Sequence, residues 1–190
     1  MASLLLVIVF LLQLLLTVAV FLFIGRAIVQ IVSDTVTDVP FVRTPRTVFA
    51  PIASALDIQP YDVVYELGSG DGGFLLWCAA HYPNAKFVGI ERNPLLHRYA
   101  SWRQKRSGMQ NLSFTQADFF DVNLSGARKI YGYLLNSVMD RLLPKFEREF
   151  HGRLASRAFR FKAKQPVRTI ELSGKKGWHG EHLLHIYDFL

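Results

Sequence analysis

The hydrophobic pattern separates an apolar N-terminal segment from an alternating remainder. Residues 4–24 are apolar except for Gln13 and Thr17, and no charged residue occurs before Arg26. A helix of about 20 residues rises about 30 Å, the thickness of the hydrocarbon core of a bilayer. Because a helix that is apolar on all sides is atypical of a protein surface, the pattern predicts a transmembrane anchor over residues 1–32. A buried core helix and a cleaved signal peptide are the alternatives, although no positive N-terminal region or small-residue cleavage site accompanies the segment.

Basic residues indicate the orientation of this segment. Arg26, Arg43 and Arg46 follow it, whereas no charged side chain precedes it. The positive-inside rule therefore predicts that the N-terminus lies outside and the body of the chain lies in the cytoplasm or an equivalent compartment. Residues 33–60 contain four prolines and are interpreted as a connector, in which Thr47–Leu56 has the spacing of a short helix.

From residue 61 to residue 190 the hydrophobic period alternates between strand-like and helix-like runs. This alternation predicts one α/β domain of parallel strands joined by right-handed crossover helices. The last two strands are connected by Ser173–Gly180, which is too short for a helix, so we expect them to form an antiparallel hairpin. The predicted strands are Asp62–Leu67, Lys86–Glu91, Leu112–Gln116, Lys129–Leu134, Arg153–Phe159, Val167–Leu172 and His182–Phe189, and the predicted helices are Gly73–His81, Pro94–Ser107 and Val138–Phe150.

Composition narrows the class of protein. The chain has 190 residues, of which 51% are hydrophobic, and a net charge of +7, so a disordered or low-complexity protein is excluded. The single cysteine, Cys78, excludes an internal disulfide framework and a multi-cysteine metal site, and we expect it to be a small buried hydrophobe. No metal site is predicted from the histidines, because His182 and His185 would point to opposite faces of a strand.

The most informative segment is an apolar strand that runs into a glycine-rich turn and then a helix, Val63–Gly73. Glycines permit positive φ and let a ligand approach the backbone. The N–H groups of the turn and of the helix N-terminus favour a polar or anionic ligand group. The alternative for Asp71 is a cap on the following helix. The turn residues expected to contact a cofactor are Gly68, Ser69, Gly70, Asp71 and Gly72.

Polar side chains also follow the next two strands. Glu91 ends the second strand, where a carboxylate can accept both hydroxyls of an adenosine ribose. Asp118 follows the third strand, where it can accept from an adenine amino group, and Phe119 offers the ring an apolar face. Because the carboxyl ends of parallel strands meet at one edge, these groups are expected in one crevice. A solvated strand end for Glu91 and a turn or helix cap for Asp118 are the alternatives.

Glu66 favours one kind of nucleotide over another. A carboxylate inside an apolar strand is costly unless it is bonded, so we expect Glu66 to bind a ligand or fix the turn. The glycines at 68, 70 and 73 also match the dinucleotide fingerprint of dehydrogenases, but Glu66 would repel a pyrophosphate there. The ammonium group of a methionine moiety would instead be attracted by the Glu66 carboxylate. S-adenosylmethionine carries that ammonium and a sulfonium, and it has no phosphate.

Together, Glu66–Gly72 (E-L-G-S-G-D-G), Glu91 and the pair Ala117-Asp118 resemble the seven-strand, class I S-adenosylmethionine-dependent methyltransferases. The resemblance covers about residues 41–190. It implies a Rossmann-like seven-strand sheet in the order 3-2-1-4-5-7-6 with strand 7 antiparallel, and S-adenosylmethionine as the cofactor.

The N-terminal anchor, Phe41–Pro45 (F-V-R-T-P) and Gly152–Phe159 (G-R-L-A-S-R-A-F) are similar to the small membrane-anchored protein-lysine methyltransferases of mitochondria and their bacterial relatives. This resemblance implies N-methylation of a lysine in a membrane or membrane-associated protein, and a bacterial or mitochondrial inner-membrane location. It also makes Thr44 a candidate for the amino-acid end of the cofactor. Arg43 stands where that family usually has the first proline of V-P-T-P.

The end of the fourth strand is where this superfamily places substrate-facing groups, which makes Tyr133 and Asn136 candidates. A core aromatic and a helix cap are their alternative roles. The sequence names no general base. Methylation of nucleobase amino groups is disfavoured because Leu135–Val138 does not resemble an N-P-P-Y segment, and cytosine C5 methylation requires a nucleophilic cysteine.

Residues 141–176 carry eleven Lys and Arg against three Glu. This stretch is interpreted as a solvated basic face or as a surface for anionic lipid headgroups, and Trp178 could rest at the membrane interface. A nucleic-acid partner is less expected, because an anchored chain meets lipid first. Two alternative functions remain open at this stage: a membrane-tethered NAD(P)-dependent reductase and a cofactor-binding scaffold without turnover.

Overall fold

The computed structural model describes residues 2–36, 42–172 and 180–190, which divide into two compact units, Met1–Pro40 and Phe41–Leu190. The first unit is a single helix, α1 (Ala2–Val36). Its segment Leu6–Ile28 is long and apolar enough to cross a membrane by length and composition, and none of it is buried in the structure. A signal sequence near the N-terminus meets the same criteria. The proposed interfacial residue Trp178 lies outside the described residues.

In its described residues, the second unit is a seven-strand sheet with four α-helices. Its helices are α2 (Phe49–Leu56), α3 (Gly73–His81), α4 (Pro94–Ser107) and α5 (Asn136–Glu149), with a 3₁₀ turn at Arg46–Val48. Its strands are β1 (Val63–Leu67), β2 (Lys86–Glu91), β3 (Leu112–Gln116), β4 (Lys129–Gly132), β5 (Gly152–Arg157), β6 (Arg168–Glu171) and β7 (Leu183–Phe189).

The strand order is β3-β2-β1-β4-β5-β7-β6. Strands β1 to β5 pair in parallel, and β7 is antiparallel to both β5 and β6. The predicted order and the antiparallel seventh strand are confirmed. In this register Glu66 lies opposite Gly89 on one side and Tyr131 on the other. The carboxyl ends of β1, β2 and β4 therefore converge at the glycine-rich turn.

Part of the segment interpreted as a connector is buried in the hydrophobic core. Phe49, Ile52 and Leu56 of α2 are buried, and the ring of Phe49 packs edge-on against Phe74 of α3 at 5.5 Å. Their four- and three-residue spacing places these apolar side chains on one helix face. The compact unit accordingly begins before the first strand, and α2 helps to hold the segment that precedes the glycine-rich turn.

Several boundaries differ from the sequence prediction by one or two residues. β4 ends at Gly132 rather than Leu134, and β5 ends at Arg157 rather than Phe159. Ala158 adopts a positive φ of 65°, which ends β5, and its N–H donates to Leu183 O at 2.9 Å. A left-handed alanine is costly and is held only by such tertiary contacts. Helix α5 correspondingly begins at Asn136, two residues earlier than expected.

Candidate functional site

The turn after β1 is built from glycines in the left-handed region. Gly68, Gly70 and Gly72 have φ values of 73°, 54° and 71°, which L side chains rarely adopt. The N–H groups of Gly68 and Ser69 both donate to Ile90 O, at 2.9 and 3.0 Å. The turn is thereby fastened across the carboxyl end of β2.

The ring of Phe114 is a second reason for glycine at position 72, and it also requires glycine at position 89. A Cβ atom at Gly72 or at Gly89 would overlap this ring, and one at Gly89 would also meet Ser69 Oγ. The aromatic side chain on β3 thus presses the turn and β2 together. Sequence reasoning missed Gly89, although a glycine inside a strand is itself a sign of close approach.

Glu91 is buried and connects the turn to the start of α4. Its Oε2 accepts from Gly70 N at 2.8 Å, and its Oε1 accepts from Asn93 N at 2.7 Å. The solvated strand end considered for Glu91 is therefore wrong. Each carboxylate oxygen has two lone pairs, so both retain capacity to accept a ribose hydroxyl.

Asp71 is bonded by protein groups on three sides. Its Oδ2 pairs with Arg43 Nη2 at 2.8 Å and Arg103 Nη1 at 3.3 Å, and its Oδ1 accepts from Gly73 N at 3.1 Å. The last bond joins Asp71 to the first residue of α3, whereas the N-cap position of this helix is Gly72, so Asp71 is not its N-cap. Arg43, the residue that replaces the first proline of V-P-T-P, joins the segment before the domain to the turn through this ion pair.

Glu66 is different, because one of its carboxylate oxygens has no hydrogen-bond partner in the described part of the chain. The residue is 6% exposed, and its Oε2 is buried without a hydrogen-bond partner. Burial raises the pKa of Glu66 well above its usual value, and the nearby Asp71 and Glu91 raise it further. The hydroxyl of Ser69 is likewise buried without a partner. An unpaired carboxylate in such surroundings fits a cationic ligand group, which would lower that pKa again.

Thr44 lies close to β4, the strand that pairs with β1 beside Glu66. Its Oγ1 is 3.1 Å from the hydroxyl of Tyr131, which faces Glu66 across the β1–β4 pairing and is fully buried. Burial raises the pKa of Tyr131, so its hydroxyl stays neutral. The structure thus brings Thr44, Glu66 and the turn to the same edge of the sheet.

Asp118 and Phe119 follow β3 at the neighbouring strand end. Asp118 Oδ1 accepts from Phe120 N at 3.0 Å, and its Oδ2 pairs with Arg92 Nη1 at 3.2 Å. The first bond is the turn-capping role considered as an alternative. Ala117 N donates to Glu91 O at 3.3 Å, so this turn is attached to the end of β2.

Tyr133, beyond β4, belongs to a polar cluster. Its hydroxyl donates to Glu181 Oε1 at 2.9 Å, and the guanidinium of Arg157 lies 4.7 Å from its ring centre. Arg157 is 4% exposed; its Nε donates to Glu181 O at 3.0 Å, while its Nη1 has no partner. Burial, together with the bond to Glu181, raises the pKa of Tyr133 to about 12. Sequence reasoning missed both Arg157 and Glu181.

Asn136 does not cap α5 with its side chain. Leu135 occupies the capping position, and Asn136 Oδ1 instead accepts from Arg160 N at 3.0 Å. The reason is tertiary, because the segment after β5 runs past the start of α5. Asn136 lines a surface cavity of about 380 Å³ with Arg160, Phe161, Lys162 and Gln165. Cys78 is fully buried, and burial raises the pKa of its thiol, which confirms its expected role as a small hydrophobe.

The comparison with known families agrees with this geometry. The profile of the ANTKMT methyltransferase domain matches residues 66–168, from the buried Glu66 to the start of β6. The chain belongs to this methyltransferase family. The resemblance to class I S-adenosylmethionine-dependent methyltransferases is confirmed, and a nicotinamide-dependent reductase is no longer favoured.

Two relatives extend over most of the chain. A protein-lysine N-methyltransferase of Saccharolobus islandicus is 29% identical over 155 residues, which cover 80% of this chain and 94% of that protein. The crystal structure of an RNA methyltransferase from Salinibacter ruber in complex with S-adenosyl-L-homocysteine has a TM-score of 0.71 and 30% identity, covering 78% of this chain and 94% of that one. A tRNA (guanine-N(7)-)-methyltransferase of Halalkalibacterium halodurans is similar over 57 residues only, at 39% identity, which is 30% of this chain and 26% of that protein.

Proposed function

We propose that this methyltransferase is a membrane-anchored protein-lysine N-methyltransferase whose substrate is a membrane or membrane-associated protein. The observation that carries the cofactor assignment is the buried, unpaired carboxylate of Glu66 beside a glycine-rich turn. The similarity to a protein-lysine methyltransferase over 80% of the chain supports lysine as the methyl acceptor, and the apolar helix α1 supports the anchor.

S-adenosylmethionine is the cofactor, and it supplies an electrophilic methyl group bonded to a sulfonium. Glu66 would accept from the ammonium of its methionine moiety, and Glu91 would accept from its ribose hydroxyls. Asp71 acts by holding the turn against Arg43 and Arg103, whose ion pairs bring two distant segments to it. The further residues assigned to the cofactor are Thr44, Gly68, Ser69, Gly70, Gly72, Asp118 and Phe119.

The residues of the chain contribute mainly by alignment. Methyl transfer to an amine is an in-line displacement, for which holding the nucleophile in position accounts for most of the acceleration. The turn is fixed by three independent contacts: the bonds to Ile90 O, the bond to Glu91 and the ring of Phe114. These contacts would keep the methyl donor in a fixed position relative to the incoming amine.

Tyr133 is proposed to position the lysine amine that accepts the methyl group. The Tyr133 hydroxyl donates its proton in a hydrogen bond to Glu181, so the lone pairs of the hydroxyl oxygen are available to accept a hydrogen bond from an amine N–H. The guanidinium of Arg157 lies against the same ring, and the carboxylate of Glu181 bonds its hydroxyl, so groups of opposite charge flank the position proposed for the lysine amine. Asn136 is proposed to contact the substrate from the rim, where it borders the surface cavity.

The anchor would replace a recognition domain. The unit Phe41–Leu190 is one compact domain. Tethering it to a membrane would raise the local concentration of substrates in the same bilayer, which is the task that a recognition domain otherwise performs. The body of the chain is proposed to lie on the cytoplasmic or equivalent side of a bacterial or mitochondrial inner membrane, as the positive-inside rule favours.

The test is methyl transfer from radiolabelled S-adenosylmethionine to membrane fractions, with separate arms for soluble protein and for RNA. We expect a labelled, protease-sensitive membrane band whose modified residue is lysine by mass spectrometry. Label in ribonuclease-sensitive material would instead support RNA methylation, the activity named for the Salinibacter ruber structure. Absence of label in every fraction, with intact cofactor binding, would support the scaffold.

A further inference from the structure

Helix α4 presents a stripe of large apolar side chains to solvent. Leu95, Tyr99 and Trp102 are 53%, 47% and 52% exposed. Their spacing of four and then three residues places them on one face of the helix. Single exposed apolar residues need no explanation, but three in a row on one helix face indicate a contact surface.

The charges around this stripe have one sign. Helix α4 contains Arg98, Arg103, Lys105 and Arg106 and no acidic residue. Arg103 turns toward Asp71, whereas Arg98, Lys105 and Arg106 are exposed, and none of these three forms an ion pair with another described residue. We call the exposed surface formed by Leu95, Arg98, Tyr99, Trp102, Lys105 and Arg106 the α4 face.

The basic C-terminal third is arranged differently. Arg153 pairs with Asp188, Lys145 pairs with Glu149, and Arg157 is buried. These three cations are therefore neutralised or withdrawn from the surface, whereas Arg160 and Arg168 of the same stretch remain exposed. Among the described residues, the α4 face combines exposed cations with exposed aromatic and aliphatic side chains.

The ring geometry favours lipid over nucleic acid as the partner. Tyr99 and Trp102 stack on each other at 5.9 Å, and guanidinium groups lie against both rings, Arg103 on Tyr99 and Arg106 on Trp102. Bases bind by stacking on open ring faces, which this arrangement restricts. Tyr and Trp with neighbouring cations instead suit the headgroup region of an anionic bilayer.

We propose that the α4 face lies on the surface of an anionic lipid bilayer. The inference rests on the proposed membrane anchoring, since a tethered domain meets the bilayer continuously. Helix α4 begins next to Glu91, whose Oε1 accepts from Asn93 N. Contact through α4 would therefore hold the cofactor edge of the sheet close to the membrane surface, where a membrane protein presents its lysines.

The experiment uses the full chain reconstituted in vesicles of phosphatidylcholine, with or without phosphatidylglycerol. A Leu95→Cys variant carries an environment-sensitive fluorophore, which labels that position selectively because the native Cys78 is buried. We expect emission to move to shorter wavelength with phosphatidylglycerol and to return at high salt. The matched position is Glu171→Cys, exposed on β6 at the opposite edge of the sheet, where we expect no shift.

Charge reversal completes the test. Arg98→Glu in the labelled chain should weaken the phosphatidylglycerol response by about fivefold or more. Arg168→Glu, the same change on β6, should leave the response intact. A water-exposed position 95 in both lipids would overturn the inference, as would a shift that depends on protein density, which indicates a second copy, or one that requires added RNA. Failure of the chain to sediment with vesicles after alkaline washing would instead contradict the anchor itself.

Discussion

At the scale of the residue, Glu66 is a carboxylate whose protein surroundings oppose its charge. Burial, Asp71 and Glu91 all raise its pKa. The folded chain thus holds this proton more firmly than the unfolded chain does. Its contribution to stability is present at acid pH and is lost as the pH rises from about 4.3 through the raised pKa. Glu66 therefore destabilises the ligand-free protein at neutral pH, as expected of a group whose partner is a cationic ligand.

Replacing Glu66 with Gln should separate stability from binding. The amide has the same shape and does not ionise, so we expect the free energy of unfolding of the ligand-free chain at neutral pH to rise by about 1 kcal/mol or more. The affinity for S-adenosylmethionine should fall at least about tenfold. Chemical denaturation across pH and calorimetric titration measure the two effects.

The matched control is Glu91→Gln. Both oxygens of Glu91 accept from backbone N–H groups, so an amide must place a donor against one of them. We expect this variant to lose about 1–3 kcal/mol of stability. A Glu66→Gln chain that is also less stable at neutral pH would show that the carboxylate is satisfied by the protein.

Tyr133 is expected to act on the acceptor and not on the donor. Tyr133→Phe removes the oxygen that would accept from the amine, and we expect the methyl-transfer rate to fall by about tenfold to a hundredfold with unchanged S-adenosylmethionine affinity. Single-turnover assays with labelled donor measure the rate, and calorimetry measures the affinity. Tyr187→Phe, which removes the hydroxyl of a fully buried tyrosine on β7, controls for general damage. Equal loss in both variants would argue against a specific role.

The pKa of Tyr133 also predicts a pH dependence. Because it is raised to about 12, the hydroxyl remains protonated throughout the range in which lysine loses its proton. The rate should therefore rise with pH as the acceptor lysine deprotonates, without a second transition from Tyr133. The stability contributed by this raised pKa is present below about 10 and is lost between about 10 and 12. The methyl-transfer rate measured as a function of pH, up to the onset of unfolding, checks this. We expect the rate of the Tyr133→Phe variant to reach its plateau at the same pH as that of the wild type.

At the scale of the element, the glycine-rich turn depends on the packing of β2 against β3. Gly89→Ala should cost about 1–3 kcal/mol, because its Cβ would overlap the ring of Phe114. Phe114→Leu in the same chain should restore part of this loss by making room. The double-mutant cycle, followed by thermal unfolding, measures the coupling. Strict additivity of the two changes would contradict the proposed packing.

The elements themselves were largely predictable from sequence. Alternating periodicity and the short link before β7 were sufficient for the parallel strands and the terminal hairpin, because both are local signals. The order of the strands in the sheet is not a local property, and it was predicted from the resemblance to class I methyltransferases. The end of β5 was not predictable, since Ala158 is held in its left-handed conformation by Leu183, far along the chain. Tyr133 was a candidate from the sequence, but its partner Glu181 was missed for the same reason. The two residues are 48 positions apart, and the pairing of β5 with β7 brings them together. The burial of α2 also depends on tertiary packing.

At the scale of the whole molecule, the chain consists of two units with separate roles. Residues 41–190 contain the hydrophobic core and every residue assigned to the site. We expect a fragment beginning at Phe41 to keep its affinity for S-adenosylmethionine and its activity on a soluble lysine peptide. Its activity on substrates in native membranes should fall by about a hundredfold, because tethering is lost. Parallel assays on both substrates measure this; equal loss on the soluble peptide would show that α1 contributes to the fold of the domain.

The burial of Cys78 has a practical consequence for the study of motion in this protein. The chain has one thiol, placed in α3 directly behind the cofactor turn and closed off from water. A thiol reagent can reach it only when that helix transiently opens, so the modification rate under native conditions reports the free energy of that opening. Ligands that stabilise the turn should slow this reaction, so the modification rate of Cys78 measures local unfolding of α3.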